Sequence, residues 1–259
     1  MNLEFYKYQG AGNDFIMIDN RDNVFDRNAE KLIESICHRR FGVGADGLIL
    51  LENAKGYDFK MIYFNLDGKE ATMCGNGGRC IVAFAKMLGI IENKAFFLAS
   101  DGSHEAYPEP DGQVNLHMID VSKVESLTDG YFLNTGVPHL VHFVEDLHTI
   151  DVNIDGRQFR YDARFQPEGT NVNFVKIDSD QLTVYTYERG VEAETLACGT
   201  GITAAALSAA VKTGKDEGEF KVKAKGGDLS VKFKKENSHF TNIWLKGPAQ
   251  MVFKGEIEI

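Results

Sequence analysis

Two stretches of the chain are apolar on nearly every helical face and predict two buried helices. The first is Cys80–Leu88, which is followed by Gly89. The second is Ile202–Val211, which is closed by Gly214. A helix that is apolar all round belongs inside a core, and a glycine just beyond the last apolar residue is typical of a helix C-terminus.

The rest of the chain reads as strands and turns, with one amphipathic helix. That helix is predicted from Asn28 to Arg40, with Asn28 as its cap and Cys37 on its buried face. Turns such as Asp101-Gly102 favour antiparallel hairpins over βαβ crossovers. Strand-rich segments are expected at 3–20, 48–51, 57–64, 94–119, 131–134, 140–144, 171–177, 182–187, 222–244 and 251–259.

The motif Cys-Gly-x-Gly occurs twice, at Cys74–Gly77 and at Cys198–Gly201, just before the two apolar runs. Each copy carries a glutamate four positions before its cysteine, Glu70 and Glu194. The repetition predicts two similar halves, each with one cysteine at the start of a buried helix.

We therefore expect two domains. The first spans residues 1–118, and the C-terminal strand 249–259 returns to it. The second spans residues 119–248. No linker rich in proline or serine separates them.

The start of a helix is a chemically useful place for a cysteine. The first turn offers unpaired backbone N–H groups and the positive end of the helix dipole, which together suit a carboxylate. The same field stabilises a thiolate and lowers a thiol pKa below its usual value of about 8.5. A lone cysteine beside glycines is more often structural. It is the matched pair that favours a functional interpretation.

Composition narrows the class of protein. The chain has 259 residues, 43% of them hydrophobic, and a net charge of −10, which gives no electrostatic support for binding nucleic acid. It shows neither a secretory signal pattern nor an apolar run of about 18 residues, so we expect a soluble, cytoplasmic protein with reduced cysteines.

Neither a metal site nor a dinucleotide site is predicted. The four cysteines lack metal-ligand spacing, and His139 and His142 would point to opposite faces of a strand. The segment Gly42–Gly47 matches Gly-x-Gly-x-x-Gly, but it follows a predicted helix and precedes a strand. That is the reverse of the order a dinucleotide fold requires.

Taken together, the motifs resemble those of the diaminopimelate epimerase family. The matching segments, which span nearly the whole chain, are Gly10–Phe15, Phe64–Gly68, Cys74–Cys80, Pro138-His139, Pro167–Asn171, Tyr187–Gly190 and Ala197–Gly201. The resemblance implies an α/β (α+β) fold of two pseudo-symmetric domains. Each domain would be a mostly antiparallel, barrel-like sheet around a central helix, with the active site in the cleft between the two.

The resemblance also implies an activity. It is the interconversion of LL- and meso-diaminopimelate, in lysine and cell-wall precursor biosynthesis, with no cofactor and therefore without pyridoxal phosphate. The partner is a small-molecule substrate rather than a nucleic acid or a membrane, and the family commonly forms homodimers.

Site residues follow from the same resemblance. Cys74 and Cys198 would be the catalytic acid and base, with His139 supporting them. Arg189 would grip the distal carboxylate, and Glu188 the substrate ammonium group. The substrate-binding residues would be Asn13, Asn65, Gly75, Asn76, Asn171, Glu188, Arg189, Gly199 and Thr200.

Some positions depart from the family pattern, and two alternatives stay open. Many members carry glutamine where Gly47 stands and asparagine where Val137 stands, and the chain has one residue more than many relatives between Arg189 and Cys198. One alternative is a two-cysteine racemase of another amino acid, of the proline or histidine type. The other is a non-catalytic amino-acid-binding protein.

Overall fold

The computed structural model describes residues 2–259, which form four α-helices and eighteen strands. The helices are α1 (Glu30–Cys37), α2 (Gly75–Met87), α3 (Val152–Arg160) and α4 (Gly199–Thr213). The strands are β1 (Asn2–Gly10), β2 (Asn13–Asp19), β3 (Gly47–Glu52), β4 (Phe59–Asn65), β5 (Glu70–Ala71), β6 (Ala95–Ala99), β7 (Gly102–Pro108), β8 (Gln113–His117), β9 (Glu125–Leu127), β10 (Gly130–Asn134), β11 (Pro138–Phe143), β12 (Asn171–Asp178), β13 (Gln181–Glu188), β14 (Ala193–Thr195), β15 (Glu217–Ala224), β16 (Gly227–Glu236), β17 (His239–Pro248) and β18 (Gln250–Glu258).

The chain divides into two compact units. One comprises the described chain up to Leu116 together with Gly247–Ile259, and the other is His117–Lys246. The last strand belongs to the first unit because β18 pairs antiparallel with β1, from Asn2 opposite Glu258 to Gln9 opposite Gln250.

Each unit repeats the same pairing pattern. In the first, β2 runs parallel to β3 and β4 parallel to β6, and β4–β5 is a hairpin that leads into α2. In the second, β11 runs parallel to β12 and β13 parallel to β15, and the hairpin β13–β14 leads into α4. The other strand pairs within the units are antiparallel. The predicted α+β class and its two pseudo-symmetric halves are thus confirmed.

The central helices are wrapped by strands without closure of a barrel. Within each unit the paired strands form one open series. The barrel-like expectation therefore holds for the wrapping of strands around the helix and not for a closed ring. Helix α2 contacts β1, β2, β3, β4, β7 and β18, whereas α4 contacts β10, β11, β12, β13, β15 and β16. This surrounding sheet explains why both helices are apolar on most faces.

The apolar runs therefore predicted both central helices, and Gly214 ends α4 in the left-handed conformation, with φ of 73°. The predicted cap of α1 is wrong. That helix begins at Glu30, and the Asn28 side chain instead donates to Asp26 Oδ1 at 3.1 Å. Among residues 2–259, no helix is long and apolar enough to cross a membrane.

A second core lies on the outer side of each sheet. In the first unit, α1 supplies Ile33, Ile36 and Cys37 to an apolar cluster with strand residues, which confirms Cys37 as a core residue. In the second unit, α3 supplies Val152 to a cluster that includes Phe174 of β12. The alternate face of each sheet is thereby left for α2 or α4.

Candidate active site

Both motif cysteines occupy the residue immediately before a central helix. The carbonyl of Cys74 accepts from Gly78 N at 2.7 Å, and that of Cys198 accepts from Ile202 N at 2.8 Å. Both cysteines are extended, with φ of −93° and −113°, and neither side chain caps its helix. The sulfur atoms are therefore not used to cap the helices. Gly75-Asn76 and Gly199-Thr200 form the first helical turns, which is where backbone N–H groups can bind an anion.

In the first unit, the predicted binding residues stand at one end of the sheet. Asn13 begins β2, Gly47 begins the parallel β3 opposite Phe15, and Asn65 ends the antiparallel β4 opposite Gly47. Parallel neighbours share their starting end, and an antiparallel neighbour ends there. Asn65 is exposed at this end, where it opens the turn to Gly68.

A chain of side-chain hydrogen bonds fixes the amides of this unit. The fully buried Arg79 donates through Nη2 to Asn76 Oδ1 at 2.8 Å. Asn76 Nδ2 donates to Asn13 Oδ1 at 2.6 Å, and Asn13 Nδ2 donates to Asp46 Oδ2 at 2.8 Å. Because each amide oxygen receives a donor, the orientation of both amides is set by a guanidinium at one end and a carboxylate at the other.

Asp46 is itself held in an ion-pair network. Arg39 Nη2 donates to Asp46 Oδ1 at 2.5 Å and to Asp14 Oδ1 at 2.6 Å, and Lys7 Nζ lies 2.8 Å from Asp14 Oδ2. Burial alone would raise the pKa of Asp14, but hydrogen bonds from Arg39 and Lys7 outweigh it and hold that pKa well below its usual range. The end of the Asn13 chain is thus firmly anchored.

In the second unit, the equivalent strand ends carry His139, Asn171 and Glu188. His139 lies opposite Asn171 in the parallel pair, and β13 runs antiparallel to β12 and ends at Glu188. Asn171 Oδ1 accepts from the backbone N of Arg189 at 2.7 Å. Arg189 Nη1 donates to the Glu168 carbonyl at 3.1 Å, so the guanidinium is oriented by one anchor.

His139 is connected to Cys198 through a threonine. His139 Nε2 lies 2.9 Å from Thr200 Oγ1, and that hydroxyl oxygen lies 3.3 Å from Cys198 Sγ. Burial, reinforced by the positive charge of Arg189, lowers the pKa of His139 to about 3. The imidazole is therefore neutral at physiological pH.

Close packing leaves no room for a side chain at Gly47. A Cβ there would lie 2.4 Å from the Phe64 carbonyl oxygen and 2.6 Å from Tyr63 Cε2. The Tyr63 ring thus takes space next to a position where many members of the resembling family carry glutamine. Three buried or half-buried polar residues that hydrogen-bond to predicted site residues could not be identified from the sequence, namely Asp46, Arg79 and Asn173. Thr186 in turn hydrogen-bonds to Asn173.

The rate of alkylation should distinguish Cys74 from the buried thiols of Cys37 and Cys80. Burial raises the pKa of Cys37 and of Cys80 to about 12, and these side chains are 2% and 0% exposed. We expect iodoacetamide at pH 8 to modify Cys74, which is half-buried, at least about tenfold faster than either, because the thiolate is the nucleophile. Peptide mass spectrometry measures the three rates. Comparable rates would contradict the assignment of Cys74 as a reactive thiol and of Cys37 and Cys80 as core residues.

Gly201 of α4 should not tolerate a side chain. A Cβ there would lie 2.3 Å from Asn173 Oδ1 and 3.3 Å from His139 Cε1. We expect Gly201→Ala to lower the free energy of unfolding by about 1–3 kcal/mol in a denaturant titration.

The control in the same helix is Ser208→Ala. Ser208 Oγ is buried and finds no hydrogen-bond partner within residues 2–259, so its removal should raise stability by about 1 kcal/mol. Equal stability of the two variants would contradict this packing.

Comparisons with known proteins agree on one family. A family model described as diaminopimelate epimerase matches residues 5–124 and 131–252. The diaminopimelate epimerase of Flavobacterium psychrophilum is 50% identical over 256 residues, which cover 98% of this chain and 100% of that protein. The diaminopimelate epimerase of Chlorobaculum tepidum is 44% identical over 260 residues, which cover 96% of this chain and 99% of that protein.

Solved structures show the same fold at much lower identity. A Bacillus anthracis phenazine biosynthesis protein of the PhzF family has a TM-score of 0.79 at 14% identity and full coverage of both chains. A probable proline racemase from Agrobacterium radiobacter K84 has a TM-score of 0.69 at 15% identity, covering 99% of this chain and 93% of that one. These likenesses concern the fold alone. The repeated architecture, the paired motifs and the identity to curated relatives over nearly the whole chain show that this chain belongs to the diaminopimelate epimerase family of isomerases.

Proposed function

We propose that this epimerase interconverts LL- and meso-diaminopimelate with two cysteines and no cofactor, and that it serves lysine and cell-wall precursor biosynthesis. One cysteine, as thiolate, removes the α-proton from one face of the carbon. The other, as thiol, returns a proton to the opposite face, and the roles exchange in the reverse direction. The observation that carries the proposal is that Cys74 and Cys198 stand at equivalent positions of the repeat, each at the start of a buried helix.

The helix starts supply the electrostatics of this reaction. Removing a proton next to a carboxylate builds negative charge on that carboxylate, and fixed N–H donors stabilise such charge when they are already in place. We assign this role to the first-turn backbone of Gly75 and Asn76 and of Gly199 and Thr200. The N–H groups of these residues need no reorganisation during the reaction, because the helices behind them are buried.

The remaining predicted residues orient the rest of the substrate. Arg189 holds the distal carboxylate, Glu188 the ammonium group, and Asn13, Asn65 and Asn171 provide amides. The hydrogen bonds of Arg79 and Asp46 to the Asn76–Asn13 pair support this assignment, since they preset both amides. Asn171 contributes in part by fixing the backbone of Arg189.

Turnover under cofactor-free conditions tests the proposal. The purified protein is dialysed against a chelator and treated with hydroxylamine, which traps pyridoxal phosphate, before LL-diaminopimelate is added. We expect formation of the meso isomer at the untreated rate. Proline and histidine serve as comparison substrates. Faster racemisation of either one would favour a racemase of another amino acid, and loss of activity on treatment would contradict the absence of a cofactor.

We further propose a cytoplasmic homodimer. Three consecutive large apolar residues of β18 are exposed, Met251, Val252 and Phe253, at 50%, 57% and 44%. Exposed apolar patches commonly mark association surfaces. Light scattering during size-exclusion chromatography should give twice the chain mass of 28.8 kDa, and a monomeric mass would refute the dimer.

A further inference from the structure

A buried series of polar side chains in the second unit ends at Cys198. Thr186 Oγ1 donates to Asn173 Oδ1 at 3.0 Å, and Asn173 Nδ2 lies 3.1 Å from His139 Nδ1. His139 then reaches Thr200, and Thr200 reaches the sulfur, at the distances given above. Asn173 and His139 are completely buried and Thr186 nearly so. Polar groups this deep keep fixed partners, since water is not available to replace them.

The direction of the hydrogen bonds among Asn173, His139 and Thr186 follows from the Leu140 carbonyl oxygen, which can accept a hydrogen bond but cannot donate one. Asn173 Nδ2 also donates to the Leu140 carbonyl oxygen at 3.0 Å, and a carbonyl oxygen only accepts. The amide of Asn173 is therefore oriented with its nitrogen toward both Leu140 and His139. The hydroxyl donated by Thr186 to Asn173 Oδ1 agrees with this orientation.

The ring of His139 must then accept at Nδ1. A neutral imidazole carries one proton, so that proton sits on Nε2 and is donated to Thr200 Oγ1. The charged group that faces His139 is Arg189, and its positive charge together with burial favours the neutral ring. When Cys198 is a thiolate, its sulfur can only accept, so the Thr200 hydroxyl then donates its own hydrogen to Cys198 Sγ.

We propose that Asn173 is a positioning residue for Cys198, because it fixes the His139 tautomer and thereby directs the Thr200 hydroxyl hydrogen at the sulfur. A donor aimed at the sulfur favours the thiolate over the thiol. Asn173 and Thr186 thus tune the proton affinity of Cys198 without touching it. The inference rests on the proposed function only in giving Cys198 a proton-transfer role.

The packing around the series leaves it little freedom. The site of a Cβ on Gly201 is occupied by Asn173 Oδ1 and bordered by the His139 ring. The Thr200 backbone is held as well, since Thr135 Oγ1 donates to its carbonyl at 2.9 Å. An alternative rotamer of Asn173 would have to break its bonds to Leu140 and Thr186 together.

The first experiment reads the tautomer directly. In the ¹⁵N NMR spectrum of histidine-labelled full-length protein, we expect His139 to carry its proton on Nε2 and to stay neutral between pH 6 and 8. Asn173→Asp replaces the donor by acceptors, so Nδ1 should become protonated. A wild-type proton on Nδ1, or no change at Nδ1 in a folded Asn173→Asp variant, would overturn the proposal.

The second experiment reads the sulfur. The pH midpoint of Cys198 alkylation by iodoacetamide is followed by peptide mass spectrometry. Thr200→Val removes the hydroxyl and should raise this midpoint by about one pH unit, so that the thiolate fraction of Cys198 at lower pH falls about tenfold. Thr200→Ser keeps a hydroxyl and should leave the midpoint nearly unchanged. Thr203→Val is the control, because it removes a hydroxyl of the same helix that donates to the Gly199 carbonyl at 3.0 Å.

An unchanged midpoint in Thr200→Val, or an equal rise in Thr203→Val, would overturn the role of the Thr200 hydroxyl. Neither measurement uses a substrate. If both expected results are obtained and diaminopimelate is not epimerised, the proposed function fails while the positioning role of Asn173 stands. If diaminopimelate is epimerised and the midpoints do not move, the positioning role of Asn173 fails while the proposed function stands.

Discussion

Replacing either Cys74 or Cys198 by alanine is expected to lower the rate of diaminopimelate epimerisation by at least about a thousandfold. Each variant keeps one sulfur, but a single acid–base group on one face cannot both remove a proton and return one to the opposite face. Both cysteines precede the first residue of their helices, and neither side chain caps its helix, so the variants should fold normally. Circular dichroism and thermal unfolding check this, and turnover is followed by chiral chromatography.

The matched controls are Cys37→Ala and Cys80→Ala. These thiols are buried, and their raised pKa of about 12 keeps them protonated at neutral pH. They should retain most of the activity, with a stability loss of about 1 kcal/mol from the small cavity. Near-normal turnover in Cys74→Ala or Cys198→Ala would contradict the two-base mechanism.

Arg189→Lys is expected to lower kcat/KM for diaminopimelate by at least about tenfold, which is about 1.4 kcal/mol of transition-state stabilisation. Lysine keeps the charge but loses the planar fork that holds a carboxylate at two points. It also loses the Nη1 bond to the Glu168 carbonyl, which orients the guanidinium. Binding energy from the remote carboxylate positions the reacting carbon, so kcat should fall together with affinity.

Two controls separate a distal clamp from a structural role. Arg164→Lys makes the same change at an arginine bound to Asp129 and Asp162, and it should leave kcat/KM unchanged. Proton exchange at the α-carbon of an amino acid with one carboxylate should be little altered by Arg189→Lys, since that substrate offers Arg189 nothing to hold. Equal losses of rate on both substrates would show that Arg189 does not bind the distal carboxylate.

The central helices could be predicted because their information is local. An apolar pattern on all faces, a Cys-Gly-x-Gly start and a closing glycine are read along the chain without knowledge of its partners. Helix α3 was missed although Asp151 accepts from the N–H groups of Asn153 and Ile154, as a capping residue does. Gly156 in its middle argues against a helix, yet a Cβ there would lie 2.4 Å from Tyr187 Cβ. Close packing against β13 thus outweighs the local preference.

The hydrogen-bonded networks around the cysteines could not be predicted from spacing. Asn173 alternates with Val172 and Phe174, a pattern that predicts a polar side chain facing water. Both α3 and α4 contact β12, however, so the second face of the strand is covered as well. Arg79 sits in a recognised motif, but only the folded chain shows that it is completely buried and bound to Asn76.

The most direct test of the two-cysteine mechanism is the early fate of solvent deuterium. The enzyme converts LL-diaminopimelate in D₂O for much less than one equilibration, and substrate and product are separated and analysed by mass spectrometry. If one sulfur removes the proton and a different sulfur delivers its replacement, meso product should carry deuterium at the inverted carbon while recovered substrate keeps hydrogen. Deuterium appearing equally in recovered substrate and product, as a single exchanging base would give, would contradict the mechanism.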